Sequence, residues 1–219
     1  MIFTILTTFP QYFESPLDSS IIRRAITNQI IDVKLIDLRL FANDKHKTTD
    51  DRPFGGGAGM VMKIEPIEKA LATIPISQLK KNRTILLSAR GNRFVQTDAS
   101  RLATYQSITL ICGHYGDVDQ RVADYLVDEE ISLGDFVMTG GEPAALVLID
   151  AISRLLPNVL GNEASILAES HAQPGISSPP SYTRPADYRG WKVPEVLLSG
   201  NAAAIKAWKA DYLDSLDSK

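Results

Sequence analysis

The stretch that decides the fold runs from Thr84 to Gly134, TILLSARGNRFVQTDASRLATYQSITLICGHYGDVDQRVADYLVDEEISLG. Short apolar runs alternate in it with amphipathic ones. Thr84–Leu87, Ser107–Cys112 (SITLIC) and Glu130–Leu133 read as strands, whereas Val95–Tyr105 and Asp119–Leu126 read as helices. Strands separated by helices in this rhythm predict an α/β fold with a mostly parallel sheet. Each strand also ends in a turn containing glycine: Ser88-Ala89-Arg90-Gly91, then Gly113-His114-Tyr115-Gly116, then Gly134. A little further on, Val137-Met138-Thr139 runs into Gly140-Gly141.

The same alternation extends outward. Ile2–Thr7 is an apolar, β-branched run that suits a central strand, Ser19–Gln29 a helix after a Ser/Asp cluster, and Val33–Leu40 a further strand. TTDDRPFGGGAGM, residues 48–60, has no periodicity and reads as a glycine-rich loop, with a helix expected over Ile64–Ile74. Downstream, Glu142–Leu156 places Ala145, Leu148, Ile149, Ile152 and Leu156 on one helical face. The pattern breaks at Pro157, and the chain is rich in Pro, Gly, Ser, Asn and Ala as far as about Pro185. A small terminal unit closes with a helix over Asn201–Leu216. The expected organisation is a main domain over 1–160, a linker over 161–180 and a small, mainly helical domain over 181–219.

Composition narrows the classes. A chain of 219 residues accommodates one full domain with room for a smaller second, and can bury a core without staples. Its 23 basic and 26 acidic side chains leave a net charge of -3, which excludes coating nucleic acid by bulk charge but not reading RNA through a local patch. The one cysteine, Cys112, excludes an internal disulfide framework, fits a reducing compartment and is best placed as a strand-core thiol. His46, His114 and His171 are scattered, with no HExxH and no paired CxxC, so no metal site is expected. The N-terminus lacks a basic region, and no apolar run reaches the roughly 18 residues a membrane span needs, so a soluble, cytoplasmic protein is expected.

Open α/β sheets bind ligands outside the carboxyl ends of their strands, and glycine there lets a ligand approach the backbone closely. None of the four glycine clusters fits GxGxxG or GxxxxGK[ST], which argues against dinucleotide and P-loop sites. Taken singly, each is also what a tight turn between packed elements requires. Their succession at strand ends points to a cofactor pocket.

Six motifs then occur in order: DDRPFGGGAGM (Asp50–Met60), CGHYGDVDQRV (Cys112–Val122), ISLGDFVMTGGE (Ile131–Glu142), LIDAISRLLPNVLG (Leu148–Gly161), YTRP (Tyr182–Pro185) and VPEVLLSGN (Val193–Asn201). In these the chain resembles, over about residues 1–209, the bacterial tRNA (guanine-N1)-methyltransferase family, which acts on the guanosine at tRNA position 37. The resemblance implies the SPOUT fold with its deep trefoil knot, S-adenosylmethionine as cofactor, a homodimer, a tRNA partner and no membrane. It makes 1–160 the cofactor domain and 181–219 a shortened tRNA-binding domain. The cofactor pocket would fall on Leu87, Ser88, Ala89, Arg90 and Gly91, on Gly113, His114 and Tyr115, on Leu133, Gly134, Asp135, Phe136, Val137 and Met138, and on Gly140 and Gly141.

Methylating guanine N1 requires removal of its proton and stabilisation of the charge that develops at O6. The family assigns these tasks to a linker aspartate and to an arginine at the end of the long helix. The arginine matches Arg154, and the aspartate position holds Glu169. Without the resemblance, Glu169 is a solvated loop carboxylate and Arg154 a surface cation or the partner of Glu163. The usual glutamate after Tyr115 is Gly116, followed by Asp117, which either takes over a ribose contact or leaves it unmade. Usual prolines are replaced by Ala58 and Ala89, Pro143 stands where leucine is commoner, and Ala202 where histidine is common. His46, Lys47, Asp50, Arg52, Arg184 and Lys192 are the candidate RNA contacts, the cations for phosphates and Asp50 for base edges. Three alternatives stay open: a SPOUT enzyme acting on another RNA, a binding protein that has lost turnover, and a nucleotide-binding structural domain that would prefer ATP to S-adenosylmethionine. A requirement for a divalent ion is left undetermined.

Overall fold

The computed structural model describes residues 1–75, 81–161, 169–172 and 176–216, side chains excepted for 213–216. Within the first unit, residues 1–161, five strands form one parallel sheet. They are β1 (Ile2–Thr7), β2 (Asp32–Asp37), β5 (Asn82–Arg93), β6 (Ser107–Cys112) and β8 (Glu129–Ser132), in the order β2-β1-β6-β5-β8. Every pairing is parallel, as the alternation of strands and helices predicts. A second small sheet joins β3 (Asp50–Asp51), β4 (Val61–Met62) and β7 (Asp117–Val118).

The central strands are mostly apolar and buried, with Thr4, Thr84 and Thr109 among the enclosed residues, because both faces are covered. Phe3, Ile5, Ile85, Leu87, Ile108, Leu110 and Cys112 project to one face. There they pack with α2 (Ser20–Thr27), α4 (Gln96–Leu102) and α6 (Glu142–Ser153). Leu6, Leu86 and Ile111 project to the other face, onto α3 (Ile64–Ala72) and α5 (Gln120–Tyr125). This period-two division of consecutive strand residues between two cores gives three layers, helix–sheet–helix. A one-turn helix α1 (Glu14–Leu17) precedes α2.

The sequence reading places a turn after Leu87, but β5 continues to Arg93. Leu87 and Asn92 both pair with Ile131, so Ser88–Gly91 leaves the ladder as a wide bulge and the strand then resumes. Only glycine tolerates the crossing at its base. A Cβ on Gly91 would lie 2.5 Å from the Ile131 nitrogen.

The second unit, residues 162–219, contains the two-stranded β9 (Asp187–Tyr188) and β10 (Trp191–Lys192), then α7 (Glu195–Leu198) and α8 (Ala202–Leu216). The rings of Tyr182, Trp208 and Tyr212 adjoin in sequence at tilted angles, the first two with centroids 6.5 Å apart and the second two 6.2 Å apart. Among the described residues, no helix is long and apolar enough to cross a membrane.

Candidate active site

The carboxyl ends of β5, β6 and β8 open onto a cavity of about 220 Å³. Its wall is built from the β5 bulge, the turn after β6, the loop after β8, and the glycine pair that starts α6. Two of these turns are fastened to each other through backbone. The Gly141 N–H donates to the Gly113 carbonyl at 2.7 Å, and His114 and Gly140 form an isolated antiparallel bridge. A Cβ on Gly141 would meet the Cys112 Cα at 2.8 Å, so the approach of α6 to the end of β6 depends on glycine there. Pro143 is also explained: in the first turn of α6 its missing N–H costs no helical hydrogen bond.

Of the residues expected in the pocket, Leu87, Ser88, Ala89, Arg90, Gly113, His114, Tyr115, Asp117, Leu133, Phe136, Val137, Met138, Gly140 and Gly141 line this cavity. Gly91, Gly134 and Asp135 are not on its wall. Gly91 serves the bulge crossing, and Gly134 turns the chain, its N–H and carbonyl bonded to the Ser132 hydroxyl at 3.2 and 3.1 Å. Gly116, Val118, Ile131, Ser132, Thr139 and Ala144 also line it. The sequence signal for these was only adjacency to the glycine turns.

Asp117 accepts from the Arg90 guanidinium at 3.2 Å and from the Val118 N–H at 2.8 Å. Both side chains are about half exposed, so the pair is weak and exchangeable. They also line a wider groove beside the cavity. The groove is bordered by Asp51, Arg52, Pro53 and the fully exposed Phe54 from the glycine loop, and by Lys63, Glu65, Asp119 and Arg121. Hydrogen bonds from its own Arg121 side chain and N–H hold the Asp119 carboxyl below its usual range. Gly116 approaches the glycine loop closely, its N–H donating to the Met60 carbonyl at 2.9 Å.

A buried carboxylate lies behind the glycine pair. Glu142 is 3% exposed; its Oε1 accepts from the Thr7 hydroxyl at 2.7 Å and its Oε2 is 3.6 Å from His114 Nδ1. Burial first, and then the charge of Glu142, push the Cys112 thiol well above its usual range. That agrees with reading Cys112 as an inert core residue. Glu142 stood inside a quoted motif, but nothing in its neighbours in the chain told that tertiary packing would enclose it.

The remaining expected site residues lie elsewhere. Arg154 caps the carboxyl end of α6, the end away from the cavity. At 1.5 Å per residue, the 12 steps from Glu142 put its backbone roughly 18 Å along the helix axis. Glu169 belongs to the second unit, as do Arg184 and Lys192, the latter on β10. Glu163 lies outside the described residues. His46 and Lys47 sit on a turn organised by Asp44, and Asp50 lies in β3. No group of three or more His, Cys, Asp or Glu residues suited to a metal ion occurs among the described residues.

A parallel sheet with a glycine-walled cavity at its carboxyl edge is the arrangement in which α/β proteins take up small molecules at their strand ends. The comparisons make this specific. The family model described as tRNA (Guanine-1)-methyltransferase TrmD matches residues 1–215, and the chain belongs to that family of enzymes. The tRNA (guanine-N(1)-)-methyltransferase of Carboxydothermus hydrogenoformans is 50% identical over 206 residues, covering 94% of this chain and 79% of that protein. Those of Geotalea uraniireducens and Dehalococcoides mccartyi are 49% and 47% identical, over 95% and 94% of this chain and 84% and 82% of theirs.

Proposed function

We propose that the protein methylates N1 of guanosine in tRNA, at position 37, using S-adenosylmethionine. The family match along residues 1–215 carries this reading, and the cavity supports it. The donor set suits such a cofactor: backbone groups of three strand-end turns for the adenine edge, apolar Phe136, Val137 and Met138 beside them, and Asp117 for ribose hydroxyls. When bound, the cofactor supplies a methyl already electrophilic on its sulfonium, so the work left to the protein is on the nucleophile.

Glu169 accepts the N1 proton, and Arg154 stabilises the negative charge that accumulates on O6. Both are proposed from the family pattern. The position of Arg154, a helix length from the cavity, favours a second protomer supplying it, and hence a homodimer. The knotted SPOUT topology and a cytoplasmic location complete the reading. Its domains are 1–160 for the cofactor, 161–180 as linker and 181–219 for tRNA. Gly91, Gly134 and Asp135 support the cofactor loops, and His46, Lys47, Asp50, Arg52, Arg184 and Lys192 contact RNA. The test is methyl transfer to tRNA transcripts that differ only at position 37. Incorporation with guanosine and none with adenosine there is expected; incorporation indifferent to that base overturns the assignment.

A further inference from the structure

The charged side chains that line the cavity, among the described residues, are Arg90 and Asp117, and these neutralise each other. The next charge behind its wall is different in kind. Glu142 is buried at the first position of α6, and its one ion-pair neighbour among the described residues is His114, at 3.6 Å. Removing a carboxylate from water without a close cation is expensive, and a neutral core residue would be easier to pack. The surroundings nevertheless hold it in place: the Thr7 hydroxyl donates to one oxygen, and only glycine at position 140 leaves room for the other. A Cβ on Gly140 would run into Glu142 Oε2 and His114 Nδ1. His114 Nδ1 is itself buried with no hydrogen-bond partner among the described residues, and its ring is tilted by 50° against that of Phe9, centroids 4.6 Å apart. One layer of glycine backbone therefore separates this carboxylate from the cavity.

We infer that Glu142 is a specificity-determining residue that makes the cavity prefer a cation, and so favours the methyl donor over its demethylated product. This rests on the cavity's being the S-adenosylmethionine site. Donor and product differ by one methyl and one positive charge at sulfur. A carboxylate behind the glycine wall acts on that difference, whereas shape and hydrogen bonding to adenine, ribose and the amino-acid end are common to both. Its effect is to hold the donor and weaken the hold on the product after transfer. The Cys112 thiol at the end of β6, which leads directly into the cavity turn, is raised by burial first and by the neighbouring Glu142 second.

The experiment is calorimetric titration of the wild type and of Glu142→Gln with two stable ligands. These are S-adenosylhomocysteine, neutral at sulfur, and sinefungin, which carries an ammonium-bearing carbon in its place. Glu142→Gln should lower the preference for sinefungin over S-adenosylhomocysteine about ten-fold, the effect of a unit charge at roughly 10 Å and an effective dielectric of about 20. Thr7→Ser, which keeps the hydroxyl donor to Glu142 as well as the charge, should leave the ratio unchanged. Equal loss of both ligands in Glu142→Gln, or loss of neither, overturns the inference and makes Glu142 a structural residue. Should Glu142→Gln fail to fold, the wild type decides, since a protein that does not prefer sinefungin lacks the proposed selectivity. A wild type that binds neither ligand overturns the cofactor reading, and this inference with it.

Discussion

Glu169 carries the proton-transfer step in the proposed mechanism, and its length sets what substitution should do. Glu169→Gln keeps the shape and removes the base, so kcat should fall by about 10²–10⁴ while S-adenosylhomocysteine affinity is unchanged. Glu169→Asp keeps the carboxylate and restores the residue of the family pattern, so it should retain most activity. Single-turnover methylation with parallel calorimetry separates the two. Asp117 is tied to Arg90 by an exposed ion pair, so Asp117→Asn should weaken cofactor binding several-fold through a lost ribose contact, with little change in thermal stability. An unchanged affinity would mean that the contact made by the family's glutamate is absent here. At this scale the sequence was informative where chemistry is local. Of the strand-end glycines, Gly113, Gly116, Gly140 and Gly141 lie on the cavity wall, whereas Gly91 and Gly134 do not. Thr7 and Glu142 did not announce their contact, because residues 135 positions apart meet only through packing of β1 against the start of α6.

At the scale of elements, β1 and β6 were legible because a continuous β-branched run buried on both faces has few alternatives to a parallel strand. The two-residue strands β3, β4, β7, β9 and β10 were not, since two residues show no periodicity. Nor was the length of β5, where Ser88–Gly91 is a turn by composition and a bulge by pairing. Holding β5 to β8 is an ion cluster at the sheet edge. Glu129 accepts from Arg83 at 2.8 Å and from Arg101 at 2.9 and 3.1 Å, with its side chain 17% exposed. Burial alone would raise its carboxyl pKa, but hydrogen bonds from Arg101 and Arg83 outweigh it and hold the group below its usual range. A depressed folded-state value stabilises the fold above the unfolded pKa of about 4.3, and that stabilisation is lost as pH falls through the folded value. Glu129→Gln should therefore cost about 1–3 kcal/mol near neutrality and progressively less in acid. Thermal melts of both proteins between pH 7 and acid check this, and a constant difference would contradict it.

The whole molecule poses a question of completeness. If Arg154 acts at the cavity, one protomer places the two at opposite ends of α6, roughly 18 Å apart along its axis. An arginine side chain does not bridge that distance, so the competent site must draw Arg154 from a second copy. A complementation experiment decides this. Arg154→Ala leaves the cavity intact, whereas Gly140→Val drives a side chain into Glu142 and His114 and should empty the cavity. Each variant alone should be nearly inactive. Co-refolded in equal amounts, half of the dimers pair one of each. In these, the intact cavity of one subunit faces the intact Arg154 of the other, so about a quarter of wild-type activity should return. Activity that stays at the level of the separate variants, with mixed dimers demonstrated by differential tagging, would place Arg154 and the cofactor in the same subunit's site. The dimer reading also accounts for a net charge of -3 on a protein that handles tRNA. A site completed by a second copy can read tRNA with a few placed cations, without requiring the surface as a whole to be basic.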